Sequence, residues 1–378
     1  MQTLLMRWRP DASAFDCEGR PEGANFVLYF GPNATIGSDL FQSALRAACP
    51  QAHIMGCTTG TAICGADIAD EAAFALACTL SHSTVKLASA EISRESSHFA
   101  GAQLARSLRA PDLAAVLVLC DSLNVDGIAL IEGLRAHLPA GVVIAGGLAS
   151  DGSTFERTIV GADCAPKEKF VAALGLYGSR MVVNQGCAHG WDVFGPPRRI
   201  TKASGLELFE LDGKPALDLY ERYLGPDAAE LPASALRFPL LIENPGNAHE
   251  QVVRTVLNVN RETRSMTFAS PIPEGWSARL MRGAVDHLTE GARLAAEQAA
   301  DGSTSTDGGL ALLISCVGRR VVMGQETADE VEAVSSQFFP GLFQAGFYSH
   351  GEISTLSNDE KCGLHNQTMT IVTIQEAA

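Results

Sequence analysis

Residues 114–152 read AAVLVLCDSLNVDGIALIEGLRAHLPAGVVIAGGLASDG. An unbroken apolar run, too short for a membrane span, ends at Cys120. An amphipathic stretch follows over residues 125–137, then Pro139, a second apolar run and a glycine-rich loop. Continuous apolar runs joined by a helix predict a βαβ unit, because strands of a parallel pair are buried on both faces. Two more copies carry the same punctuation. The first is NFVLYFGP, a helix near residues 37–48, Pro50, AHIM and GCTTGTAICG; the third is GLALLISCVG, a helix near 328–338, Pro340, GLFQA and GFYSHGE. Phe30 to Pro50, Cys120 to Pro139 and Cys316 to Pro340 span 20, 19 and 24 residues, room for one helix and two short loops. Such crossovers are right-handed in nearly all cases.

Ligands of open parallel sheets sit beyond the carboxyl ends of the strands. The glycine loops at residues 56–65, 146–153 and 346–352 all leave such ends, so all three are expected to border one cavity. Cys57, Gly147, Asp151, Tyr348 and Glu352 on these loops are candidate ligand-binding residues. Cys316 and Arg319 in SCVGRR follow a strand end of the third copy, where Arg319 would clamp a carboxylate. His189 and Trp191 in GCAHGWD would line a cavity or belong to the core.

The stretch GFYSHGEISTLSNDEKCGLHNQ, residues 346–367, concentrates ligand-type side chains. In an extended segment His350 and Glu352 point to one side. A turn over residues 355–363 would fold Cys362 and His365 back beside them. His350, Glu352, Cys362 and His365 then form a chemically competent zinc set, and a related alternative is a thiol protein whose cysteines, Cys57 among them, carry an oxidation signal. His350, or failing it His365, would alternatively be the axial ligand of a non-covalent haem. The plain alternative is a polar strand-loop-strand corner with its histidines hydrogen-bonded to backbone.

Composition removes several classes of function. The 378 residues carry a formal net charge of -15 and no basic run, which argues against nucleic acid and against an anionic membrane surface. No apolar window is long enough to span a bilayer, and the N-terminus lacks the apolar core of a secretion signal. A cytoplasmic protein is expected, with its ten cysteines reduced and mostly buried. The sequence holds no GxxxxGK[ST], GxSxG, HExxH or CxxC, and no enzyme is expected.

Other segments differ in kind. Residues 84–93 alternate as a strand, 170–213 read as antiparallel strands, and 251–275 as a hairpin around NRET. Residues 214–224 and 278–300 have helical periodicity. The 301–309 stretch DGSTSTDGG reads as a flexible loop. The fold class is therefore α/β, with repeated βαβ units, additional antiparallel strands and layered mixed sheets in two lobes. The expected division is an N-terminal extension over 1–22, one domain over 23–224, a boundary at 224–234, and a second domain over 235–378.

IMGCTTG, VIAGGLASDG, ISCVGRR, AGFYSHGEIS and LHNQTMT, in this order, make the chain similar to the FIST sensory module, over about residues 23–222 and 235–375. The resemblance implies a sensor of a small ligand, such as an amino acid or similar metabolite, that signals through another protein. It also resembles a stand-alone branch of non-covalent haem proteins that sense nitric oxide and regulate a histidine kinase. A homodimer is the usual default for such sensors.

Overall fold

A computed structural model of the chain describes residues 1–301, 308–355 and 361–377. The expected loop at 301–309 and the turn at 355–363 fall largely outside these. All three βαβ units are present. Phe26–Gly31, Leu113–Cys120 and Gly309–Cys316 are almost entirely buried strands. Each pairs in parallel with the second strand of its unit: His53–Thr58, Val143–Leu148 and Leu342–Ser349. The connecting helices are Asp39–Ala48, Gly127–His137 and Thr327–Ser335. Ser38 and Asp126 cap the first two by accepting from the backbone N–H of Phe41 and Ala129.

The recurring glycine has a steric cause. Gly56, Gly146 and Gly346 stand in the same register, opposite Tyr29, Val118 and Leu313. A Cβ at these positions would fall 2.2, 1.9 and 1.7 Å from the carbonyl oxygen of that partner. No larger residue fits a strand pair this close.

Each parallel pair is extended on its first strand by two antiparallel strands, and in the first sheet by a third. Phe74–Thr79 and Gln2–Arg9 do this in the first sheet, Phe170–Tyr177 and Thr84–Glu91 in the second, Met369–Glu376 and Met181–Ala188 in the third. The other edge is supplied by a different unit. Thr61–Cys64, after the first glycine loop, pairs with the third unit's Leu342–Ser349. Val160–Ala162, after the second, pairs with the first unit's His53–Thr58. Gly351–Ser354, after the third, pairs with the second unit's Val143–Leu148. The units are thus interlocked in a ring with approximate threefold symmetry. Their inner faces share one apolar core, in which Phe30 of the first sheet stacks on Phe347 of the third at 4.6 Å.

A separate antiparallel unit is inserted between the third unit's outer strand and its helix Val285–Ala300. Trp191–Ser204, Glu207–Leu211, Leu240–Asn244, Asn247–Arg254, Val256–Asn260, Ser265–Phe268 and Ser277–Gly283 build its sheet, with helix Ala216–Leu224 against a core of its own. Val256–Asn260 and Ser265–Phe268 form the expected hairpin around residues 261–264.

Three expectations shift. The first 22 residues are not an appendage, since Gln2–Arg9 and Ala14–Cys17 extend the first sheet. Residues 224–234 do not separate two sheets: Trp191–Ser204 pairs with Ser277–Gly283, and Glu207–Leu211 with Ser265–Phe268, across that segment. Residues 278–283 are strand rather than helix. Ala278 and Leu280 face the inserted unit's core, Met281 faces the body, and burial on both sides erases the alternation that marks a strand. Helix Ser97–Leu108, packed on Gly127–His137, had no part in the expected plan.

Candidate functional site

The three glycine loops meet, as their position at strand ends predicts, and the junction is closed by hydrogen bonds. The Thr59 hydroxyl reaches the Tyr348 carbonyl at 2.9 Å, and the Ser150 hydroxyl donates to the same oxygen. The Ser150 N–H donates to Thr58 O at 2.9 Å. A Cβ on Gly60 would lie 2.8 Å from the backbone of Gly152, so at this point the first and second loops approach too closely for any side chain. Gly147 packs under Ile314 and Phe347 of the third unit.

His350 sits on this junction, 9% exposed. Its Nδ1 lies 2.8 Å from Ser122 Oγ, at the end of the second unit's first strand. Its Nε2 lies 2.8 Å from Gly152 O and 3.5 Å from Asp151 Oδ1. A carbonyl can only accept, so Nε2 carries the proton and Nδ1 accepts from the Ser122 hydroxyl. Burial holds His350 below its ordinary pKa, hence neutral. The Phe155 ring stacks on the imidazole at 4.1 Å and 15°. Phe155 is held there with φ at 55° by Asp151, whose carboxylate accepts from the N–H of Phe155, Glu156 and Arg157 at 3.0, 2.7 and 2.8 Å. Burial opposes ionisation of Asp151, but these donors and the His350 side chain outweigh it and keep its pKa low. Asp151 and His350, singled out separately in the sequence, lie 3.5 Å apart. Ser122, Thr158 and Phe155 escaped it because their role depends only on contacts across units.

Ser122 and His350 have the contact of a nucleophile and its base. The donors an oxyanion would need are already engaged. Ser122 N–H donates to Thr158 Oγ1 at 3.2 Å and Leu123 N–H to Asp121 at 2.9 Å. Asp121, fully buried, also accepts from Thr158 Oγ1 and Lys169 N–H, both at 2.6 Å.

Family models place the chain. The FIST N domain matches residues 25–214 and the FIST C domain residues 216–355. The chain belongs to the FIST family. FIST domains are sensory domains of signal transduction that bind small ligands. No curated protein matches the chain. Among solved structures, cyanuric acid hydrolase from A. caulinodans aligns over 78% of this chain and 100% of its own, at 11% identity and a TM-score of 0.18. At that level the likeness carries no structural or functional information.

The boundary between the two FIST matches falls inside the inserted unit, and strand Met369–Glu376 lies beyond the second match. The turn before that strand seats the inserted unit on the body. Asn366 Nδ2 lies 3.4 Å from His350 O, Ser270 Oγ 3.5 Å from Asn366 Oδ1, and Gln367 Nε2 3.3 Å from Leu236 O. Trp191, buried, donates from Nε1 to Gln367 O at 2.9 Å, while its N–H donates to His189 Nδ1, so Trp191 belongs to the packed core.

Among the described residues the expected zinc set of His350, Glu352, Cys362 and His365 does not assemble. Glu352 is fully buried and accepts from Ser349 Oγ at 2.5 Å and from Thr368 N–H and Oγ1 at 3.2 and 2.9 Å; burial pushes its pKa up to about 7. His365 stands opposite it in register, but its Nε2 bonds Ser354 O at 3.0 Å, and burial pushes it down to about 4. The Cys362 thiol lies 3.3 Å from Ile144 O among the apolar residues of the second unit, its pKa pushed up to about 12 by burial. Among the described residues no group of three or more His, Cys, Asp or Glu could hold a metal ion. Haem fits no better. Both His350 nitrogens are engaged and its ring face is covered by Phe155, while His365 is 4% exposed and bonded to backbone.

Cys57 and Cys316 are buried, and desolvation raises both thiols well above their ordinary pKa, which disfavours the thiolate. Arg319 is not a free clamp. It is fully buried, bonded through Nε and Nη2 to Glu330 Oε2 at 3.0 and 2.7 Å, and reaches the carbonyls of His189 and Leu288. Tyr348 is spent on the same carboxylate, its hydroxyl donating to Glu330 Oε1 at 2.6 Å.

Proposed function

We propose that this FIST protein is a non-catalytic sensor whose small ligand enters the seam between the three-unit body and the inserted unit, and whose state is read by a partner signalling protein such as a histidine kinase. The observation that carries this reading is a graded hydrogen-bond chain. Ser122 and Gly152 hold His350 at 2.8 Å on the body side, whereas the links onward through Asn366 to Ser270 are 3.4 and 3.5 Å. Bonds this long lie at the limit of geometric usefulness and are easily exchanged for better ones. A ligand that replaces them changes how the inserted unit sits while leaving the interlocked body intact. Two such positions with different ligand affinity are all that a population shift requires. Ten free cysteines, nine of them buried or half-buried, favour a reducing compartment, and we place the protein in the cytoplasm. The test is hydrogen exchange with and without a panel of amino acids and related metabolites. Altered protection confined to residues 254–283 and 363–368 is expected; unchanged exchange there with any binding compound would sink the reading.

A further inference from the structure

The chain buries two arginines, and it treats them differently. Arg319 has a carboxylate on two of its nitrogens. Arg254, at the end of strand Asn247–Arg254 in the inserted unit, is 6% exposed and has none. Its Nε lies 3.4 Å from Pro271 O, and its Nη1 3.3 and 3.4 Å from Val253 O and Leu364 O. Among the described residues Nη2 makes no hydrogen bond and no carboxylate lies within ion-pair distance. Burial lowers its pKa to about 10. Buried charges in proteins are ordinarily paired, because desolvation alone disfavours them strongly. The carbonyls that Arg254 reaches adjoin the seam: Pro271 follows Ser270, and Leu364 precedes His365 and Asn366. His365, whose pKa the Arg254 charge helps to lower, is kept neutral, so among the described residues it adds no second positive charge here.

We propose that the counter-ion of Arg254 is the ligand, a small metabolite whose single carboxylate docks on the free edge of the guanidinium between Ser270 and Asn366. One cation without a second beside it suits a monoanion rather than a phosphate dianion, and the planar fork suits a carboxylate. The location rests on the sensor reading above; the charge of the ligand does not. Binding replaces the long carbonyl contacts of Arg254 by charge-assisted bonds and so couples ligand charge to the position of the inserted unit.

The test pairs calorimetric titration with thermal unfolding of the full chain, using acetate, L-alanine and L-leucine, their carboxamides, and inorganic phosphate. At least one carboxylate is expected to bind and raise Tm, its carboxamide not. Arg254→Met is expected to lose that binding by roughly tenfold or more in Kd. Without ligand the same variant should be at least as stable as the native chain, since it removes an unpaired buried charge. A clear loss of stability in R254M would instead identify a structural guanidinium and overturn the proposal, as would carboxylate binding unchanged in R254M or tighter binding of phosphate. A carboxamide that binds and alters exchange in the seam independently of Arg254 would overturn the proposal and leave the sensor reading standing. Silence of the seam towards every probe would remove both.

Discussion

Ser122 and His350, separated by 228 positions in the chain, share a 2.8 Å hydrogen bond that ties the second unit to the third. Removing the imidazole leaves the half-buried Gly152 carbonyl without its donor and opens space under Phe155. His350→Ala should therefore cost about 2–4 kcal/mol, and Ser122→Ala about 1 kcal/mol. Urea denaturation of the two variants checks this; equal costs would refute the assignment of His350 as the hub.

The same bond has a chemical consequence. The N–H groups of Ser122 and Leu123 are engaged by Thr158 and Asp121, and the non-catalytic proposal expects no acyl transfer at Ser122. A fluorophosphonate probe should leave Ser122 unlabelled in intact-mass analysis. Stoichiometric labelling abolished by His350→Ala would make the protein a serine hydrolase and overturn the non-catalytic reading.

Both candidate axial histidines are engaged by protein groups. Freshly purified protein should show no Soret band, before or after reduction and exposure to nitric oxide. A Soret band that disappears in His350→Ala would establish haem and require the Phe155 loop to open.

Arg319 and Glu330 form a fully buried ion pair. Arg319→Met alone strands a carboxylate and should cost about 3–5 kcal/mol. Changing Glu330→Leu as well should recover much of that loss, less the acceptor lost by Tyr348 and Ser315. A double variant no more stable than R319M would show that the pair's other bonds dominate.

Glu352 and His365, cross-strand neighbours, should give opposed pH dependence. Folding raises Glu352 from 4.5 to about 7, so the folded state holds a proton that the unfolded chain has lost, and stability falls as pH rises through this window. Folding lowers His365 from 6.5 to about 4, so the unfolded chain holds the extra proton, and stability falls as pH drops from 6.5 towards 4. Each contributes about 1 kcal/mol per pH unit, and the two offset one another between about pH 4.5 and 6.5. Glu352→Gln, in which the Ser349 hydroxyl rotates to accept, should abolish the decline towards neutral pH and leave the acid-side loss exposed. Parallel stability curves for the variant and the native chain between pH 5 and 8 would contradict the raised carboxyl.

The fold was legible where it is local. Three buried apolar strands, each followed by a helix and a second strand, follow from patterning alone, and the glycines at 56, 146 and 346 mark backbone contacts that admit no side chain. The site was legible in part. His350 was chosen for the ligand-type side chains around it and Asp151 for its glycine loop, and the two lie 3.5 Å apart, but Arg319 was chosen for its place after a strand and is consumed by Glu330, a partner eleven residues on. Arg254, at the end of an ordinary-looking strand, carried no local signal at all.

By itself, then, the sequence determined the repeating βαβ units and the glycine loops at their ends, because those depend on hydrophobic period and steric size within a few residues. Only the tertiary structure decided the exchange of edge strands between units, the insertion of residues 191–283 as one sheet, and which polar groups face each other. Edge pairing is chosen among several equally apolar strands, and a buried charge is defined by the partner it lacks; both are properties of residues hundreds of positions apart.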